Sequence, residues 1–471
     1  MRYVSTRGEA PSLDFVEAML AGLARDGGLY VPETWPRLDA ETIAGFAGQP
    51  YAEVAVEVIR PFVGDAIAEA DLARMAQEAY GTFRHPATAP LTQLGNSLFV
   101  LELFHGPTLA FKDLAMQLVA RLMDHVLRKR SERTTIVVAT SGDTGGAAVE
   151  AFRGRSQADV IVLFPHGRIS EVQRRMMTTA PDANVHALAI EGTFDDCQAL
   201  VKAMFNNHAF RDRLQLSAVN SINWARVVAQ VVYYFTAAVA LGAPHRKSAF
   251  TVPTGNFGDV YAGYVASRMG LPVDRLVVAT NVNDILARAF ATGAYEIRDV
   301  VATSSPSMDI QVSSNFERLL FEAYHRDAKA IRALMGSLTQ SRRFTIASHA
   351  LKDMRALFTA DRASEEECAA TMRATMREAG YCVDPHTAVG LAVAEKETRD
   401  PSVPMIALST AHPAKFPDAV EKATGTRPKL PEWLTDLGER KERVQVLPAD
   451  QATVERFVAS ASRAAKEGAA A

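Results

Sequence analysis

The chain has 471 residues, 48% hydrophobic and 22% charged, so it reads as a soluble globular protein of roughly two to four domains with ample chain for a large core. Its formal net charge of -3, with Arg128-Lys129-Arg130 too short to be a basic tail, leaves no electrostatic footprint for nucleic acid. Cys197, Cys368 and Cys382 form no CxxC pair, which fits a reducing compartment and supports neither a disulfide framework nor a zinc site.

The N-terminus, Met1-Arg2-Tyr3-Val4-Ser5-Thr6-Arg7, lacks the apolar run of a signal peptide, and a cytoplasmic location is expected. Residues 1 to about 95 read as mainly helical. Ser12 is a candidate cap for a helix carrying Phe15, Val16, Met19, Leu20 and Leu23, which Asp26-Gly27-Gly28 would end. A short extended piece at 29–32 precedes helical patterns at 40–46, 51–62 and 66–80. Residues 98–103 then form a buried-strand pattern, and from there strand and helix alternate. Apolar, β-branched runs lie at 135–139, 160–164, 185–190, 250–253, 276–279 and 405–408. Helical spacing fills 114–127, 145–153, 171–179, 194–205, 224–241 and 260–269. Such alternation predicts an α/β fold with largely parallel sheets. The most apolar long stretch, 227–243, contains Gln230, Tyr233 and Tyr234 and is short for a bilayer span, so it reads as a buried helix. Residues 317–377 read as mostly helical, and the Ala- and Lys-rich tail from Ser460 is expected to fray.

Four stretches carry chemistry. In Phe104-His105-Gly106-Pro107-Thr108-Leu109-Ala110-Phe111-Lys112-Asp113, the turn at Gly106-Pro107 sets Lys112 at a helix start in apolar surroundings. Desolvation lowers the pKa of such an amine, and a neutral amine can form a Schiff base with an aldehyde; the alternative is a surface lysine whose stem lies along apolar neighbours. Thr140-Ser141-Gly142-Asp143-Thr144-Gly145-Gly146 joins a strand to a helix, where hydroxyls and free amides can hold an anion. Here Asp143 could equally be a plain N-cap. Thr254-Gly255-Asn256-Phe257-Gly258-Asp259 is a second strand-to-helix turn whose glycines let backbone amides close on a phosphate. No lysine follows either turn as a P-loop requires. Lastly, Ser409-Thr410-Ala411-His412-Pro413 puts a hydroxyl at a strand end, suited to a pyridine nitrogen or only to the local backbone. An amine together with a phosphate cradle suits one cofactor, pyridoxal 5′-phosphate (PLP).

With these residues in hand, the chain resembles the threonine synthases, PLP enzymes of the tryptophan-synthase-β fold type, in their longer microbial form. The resemblance rests on residues 3–8, 26–32, 105–113 and 140–145, on Asn220-Ser221-Ile222-Asn223-Trp224-Ala225-Arg226, and on residues 255–259, 308–318 and 409–416; it extends from residue 1 to about 430. It implies fold type II: two parallel-sheet α/β domains behind a mainly helical N-terminal segment. The expected boundaries are 1–95 for that segment, 96–125 with 216–471 for the larger domain, and 126–215 for the smaller.

The resemblance also implies roles. Lys112 would carry the internal aldimine and move protons. Gly255, Asn256, Phe257, Gly258 and Asp259 would hold the cofactor phosphate, Thr410 would meet the ring nitrogen, and Asp143 would stand by the ring oxygen, where many enzymes of this fold type carry Asn. Thr140, Ser141 and Thr144 would lie by the substrate, with Asn220, Ser221 and Arg226 on its phosphate. Arg226 could otherwise be a buried ion-pair partner. The implied reaction turns O-phospho-L-homoserine and water into L-threonine and phosphate by γ-elimination and β-addition, in a monomer without metal, nucleic-acid or membrane partners. Alternatives are another lyase of the fold type, such as a threonine or serine dehydratase or an amino-phosphate phospho-lyase, and a non-catalytic PLP-carrying protein.

Overall fold

The computed structural model describes residues 1–398 and 400–464. Two sheets face each other across a cleft. The larger has six strands in the order Phe358–Arg362, Val273–Thr280, Ser248–Pro253, Met405–Ser409, Leu98–Glu102 and Leu91–Gln93. All its pairings are parallel except that of the last two strands. The smaller is parallel throughout, in the order Gln445–Pro448, Val185–Glu191, Ala158–Pro165, Thr134–Ala139 and Leu216–Ser217. Strands Ala158–Pro165, Ser248–Pro253 and Met405–Ser409 are buried along their whole lengths. Helices on both faces of a parallel sheet cause this, and it is why these strands read as unbroken apolar runs.

The helix Trp224–Ala240 is the central packing element. It lies against Tyr51–Val63, Lys112–Arg130 and Gly258–Arg268 and is buried on nearly every side, so the apolar stretch is a core helix. Among the described residues no helix is long and apolar enough to cross a membrane.

Some expectations shift. Residues 1–95 have no core of their own: Val54, Ile59 and Phe62 belong to one cluster with Leu114, Val138 and Tyr233, and Leu91–Gln93 is a strand of the larger sheet. The chain end does not stay with the larger sheet. Gln445–Pro448 pairs with Val185–Glu191, and Val454 and Val458 of the helix Gln451–Ala461 pack with Leu163 and Leu188. Leu216–Ser217 also joins the smaller sheet. The first helix is Phe15–Ala21, capped by Asp14 instead of Ser12 and ended at Gly22, ahead of Asp26-Gly27-Gly28. Phe358–Arg362 interrupts the mainly helical stretch 317–377 as an edge strand. Of the tail from Ser460, residues 465–471 lie outside the described residues, while residues 460–461 close a helix.

In open α/β folds ligands bind beyond the carboxyl ends of the strands. Here Thr134–Ala139 runs out at Thr140, Ser248–Pro253 at Thr254 and Met405–Ser409 at Thr410. Residues 140, 254 and 410 all line one cleft of about 1000 Å³.

Candidate active site

Lys112 is the first residue of the helix Lys112–Arg130. Asp113 holds the approach to it, its carboxylate accepting from Thr108 N and Thr108 Oγ1, both at 2.7 Å. Gly106 is required there because a Cβ would lie 2.5 Å from that of Asp113. Phe111 N donates to Thr410 O at 2.9 Å and His412 N to Leu109 O at 3.0 Å, stitching this passage to the end of the central strand. The Lys112 side chain is 12% exposed, with Nζ 4.5 Å from the Phe111 ring centre and 3.7 Å from Asp143 Oδ2. Burial is the largest influence on the amine and lowers its pKa to about 8; Asp143 opposes this, while Arg226 and Lys415 add to it. A lysine so placed supplies free amine close to neutrality.

The turn after Ser248–Pro253 is pinned from behind. Ser313 Oγ donates to Gly255 O at 2.6 Å, and Asn315 donates through N (3.0 Å) and Nδ2 (2.9 Å) to Asn256 O. Ser314 Oγ meets Asn256 Oδ1 at 3.2 Å. The carbonyls are thereby occupied, and the amides that open the helix Gly258–Arg268 have no intrahelical acceptor. Phe257 takes a left-handed φ of 64° and buries its ring between Phe316 and Phe358. Asp259 turns its carboxylate to the hydroxyls of Tyr233 and Tyr234, and burial raises its pKa to about 6 against those bonds. Phe257 and Asp259 can therefore serve an anion only through the main chain. The glycines have a second reason to be there: a Cβ on Gly255 would lie 2.7 Å from Ser307 O, and one on Gly258 would lie 3.3 Å from Asn315 Nδ2.

On the facing sheet, the helix Asp143–Phe152 is capped by Gly142, so Asp143 is not the N-cap. Its Oδ1 lies 2.7 Å from Lys415 Nζ and accepts from Gln173 Nε2 at 2.9 Å. Burial pushes the Asp143 carboxyl up, but the charges of Lys415 and Lys112 outweigh it and hold the group well below the usual carboxylate range. Thr140 Oγ1 accepts from Gly142 N and Gly145 N, both at 2.9 Å, and so shapes the turn. Ser141 and Thr144 are half-buried at the cleft wall.

Arg226 lies in the first turn of Trp224–Ala240, whose N-cap Asn223 accepts from Ala225 N at 3.0 Å and donates to Met19 O and Ala218 O. The guanidinium is 2% exposed. Nη1 donates to Val219 O at 3.1 Å, whereas Nε has no partner, and neither has the buried Asn220 Oδ1. No carboxylate pairs with Arg226 among the described residues. Burial lowers its pKa to about 10, which still leaves it cationic at neutral pH. A buried, unpaired cation is costly unless an anion visits it. Asn220 and Ser221 line the cleft beside it.

All the residues singled out from the sequence thus reach one cleft. Three further contributors were not foreseen. Lys415 is described above. Arg318 donates to Tyr30 O and Ile222 O, tying the strand Tyr30–Pro32 to the loop before Arg226. Arg7 pairs with Glu317 at 3.0 Å on the cleft wall. The residues fit pyridoxal phosphate: an amine with a lowered pKa, a backbone cradle for one phosphate, and a hydroxyl at Thr410 on the same wall.

Residues 81–363 match the family described as pyridoxal-phosphate dependent enzyme, residues 2–80 the threonine synthase N terminus, and residues 387–458 the threonine synthase C-terminal region. A threonine synthase of Pseudomonas aeruginosa is 54% identical over 97% of this chain and 98% of its own. The crystal structure of PLP-bound threonine synthase from Brucella melitensis superposes with a TM-score of 0.95 at 60% identity, covering 98% of this chain and all of that one. The yeast threonine synthase structure gives 0.92 at 39% identity, covering 98% of each chain. With an amine, a phosphate cradle and an unpaired buried arginine in one cleft, and three family matches spanning its length, this chain belongs to the threonine synthase family of pyridoxal-phosphate dependent enzymes.

Proposed function

We propose that the protein converts O-phospho-L-homoserine and water to L-threonine and phosphate, as a cytoplasmic monomer. The observation that carries this reading is Arg226, buried without a carboxylate partner, beside Asn220 on the cleft that the turn 255–259 also lines. It supports an anion site for a phosphate that leaves, besides the backbone amides suited to a resident one.

When bound, pyridoxal phosphate supplies an electron sink at the substrate α-carbon. Lys112 Nζ takes and returns protons there, since an amine titrating near 8 exchanges readily around neutrality. Arg226, with Asn220 and Ser221, holds the γ-phosphate and favours its departure as charge grows on the leaving oxygens. A β-proton is lost as the phosphate departs; water then adds its hydroxyl at the β-carbon while the γ-carbon gains a proton and the released phosphate takes up the other, which balances the conversion. Ser141 and Thr144 offer hydroxyls, and the first turn of Asp143–Phe152 offers amides, to the substrate carboxylate. Free Cys197, Cys368 and Cys382 agree with a reducing cytoplasm, and among the described residues the large exposed hydrophobics are all valines, which agrees with a monomer.

The test is to incubate protein, pyridoxal phosphate and O-phosphohomoserine and to identify the products. Threonine with equimolar phosphate is expected. Phosphate with ammonia and a 2-oxo acid would make the protein a phospho-lyase, and no phosphate release would leave a cofactor-carrying protein without this activity.

A further inference from the structure

Lys415 is 1% exposed, and no step above uses it. Its ammonium lies 2.7 Å from Asp143 Oδ1 and donates to Thr108 O at 2.8 Å. It reaches from the turn Pro413–Lys415, just past the central strand of the larger sheet, to the first helix residue of the smaller one. Asp143 Oδ2 faces Lys112 Nζ at 3.7 Å and Ser307 Oγ at 3.4 Å, while Gln173 Nε2 holds Oδ1. Two buried lysines thus share one carboxylate at unequal distances.

That inequality has a chemical consequence. A lone carboxylate beside a buried lysine holds it as an ammonium, which is neither nucleophile nor base. Four charged groups face Lys112: Asp143 and Asp259 favour the ammonium, Arg226 and Lys415 oppose it. Asp143 is faced in turn by Lys415, Lys112 and His386. Without Lys415 the balance at Lys112 would tip toward the charged form. We propose that Lys415 is a positioning residue that binds Asp143 as its own ion-pair partner across the two sheets, so that Asp143 can stand beside Lys112 without capturing its amine.

The inference rests on the reading of Lys112 as the reactive amine, and its test needs no turnover. Trace acetylation of the full-length, cofactor-free protein across pH, with peptide mapping, reads the titration midpoint of Lys112 directly. Lys415→Met is expected to raise that midpoint by roughly one pH unit or more, and Asp143→Asn to lower it. The double variant, with both charges removed, should fall back below Lys415→Met, since Asp143 acts on Lys112 more strongly than Lys415 does. Capture of pyridoxal phosphate at pH 7 should slow by about tenfold in Lys415→Met and recover in the double variant, because one pH unit changes the free amine about tenfold. An unchanged midpoint in a folded Lys415→Met protein would overturn the proposal, as would a double variant still shifted like the single one. Should Lys415→Met fail to fold, Lys415→Gln carries the same test: its Lys112 midpoint is expected above the parent's, and an equal midpoint overturns the proposal. The Lys112 midpoint is independent of which products form, so this result and failure of the synthase reading are separable.

Discussion

Arg226 is where function and stability part company. Its guanidinium is desolvated, and its protein partner is one carbonyl, Val219 O. Arg226→Met should therefore leave the melting temperature unchanged or higher, because an unpaired buried charge is replaced by an apolar chain of similar length. The same variant should keep its bound cofactor while kcat/KM for phosphohomoserine falls by roughly 10²-fold or more, the order expected for loss of one charged donor at a leaving group. Arg226→Lys should recover only part, since a point charge lacks the planar fork. Thermal melts, cofactor titration and steady-state kinetics on these variants decide it; loss of cofactor with unchanged turnover in the saturated protein would mean that the two phosphate sites have been exchanged. Lys112 gives a pH prediction. Its pKa is lowered to about 8, so the free amine accumulates as pH rises through that value. The rate of pyridoxal phosphate capture should climb from pH 6, pass half-maximum near pH 8 and level off above. A rate still rising steeply above pH 10 would mean that the amine is not desolvated. Lys112 is marked in the sequence by its strand-to-helix turn, a setting that a surface lysine could also occupy, and Arg226 by the family resemblance of residues 220–226. Lys415 and Arg318 are not. Their meaning lies in Asp143, Tyr30 and Ile222, far away along the chain, and no local pattern announces such a pairing.

Among the elements, the turn Pro253 to Gly258 is held by a segment 58 to 59 residues further along, through Ser313, Ser314 and Asn315. A Cβ at Gly255 would press on the backbone oxygen of Ser307 at 2.7 Å, and one at Gly258 would lie 3.3 Å from Asn315 Nδ2, the less severe approach. Both Gly255→Val and Gly258→Val should weaken cofactor binding more than folding, and Gly255→Val the more severely. Fluorescence titration with pyridoxal phosphate beside chemical denaturation measures this, and equal affinity in a folded Gly255→Val protein would remove the turn from the site. Sequence patterns anticipate the parallel strands well, because burial on both faces imposes continuous apolar runs. They fail at sheet edges. Phe358–Arg362 carries Asp361 and Arg362, and Gln445–Pro448 is largely exposed, so neither shows the apolar signal of a buried strand.

At the scale of the whole molecule, the chain end acts as a strap. After the helix Pro417–Thr424, whose Val420 and Ala423 still pack with Met405 and Ala407, it leaves the larger sheet and adds an edge strand and a helix to the smaller one. Val454 and Val458 are fully buried, Arg463 pairs with Asp159 at 2.7 Å, and Thr135 Oγ1 meets Ser462 Oγ at 2.7 Å. Burial of each valine contributes roughly 1.5–3 kcal/mol. Truncation after residue 444 should thus lower the melting temperature and speed proteolysis within the smaller sheet, although none of the described residues removed lines the cleft. Unchanged melting would show the strap to be ornamental. The account as a whole turns on which amine carries the cofactor, and two buried lysines stand within reach of Asp143. Borohydride reduction of the protein with pyridoxal phosphate, followed by digestion and peptide mapping, tests this most directly. The pyridoxyl group is predicted on Lys112 alone and absent from Lys112→Ala; a label on Lys415, or on any other lysine, would contradict the account.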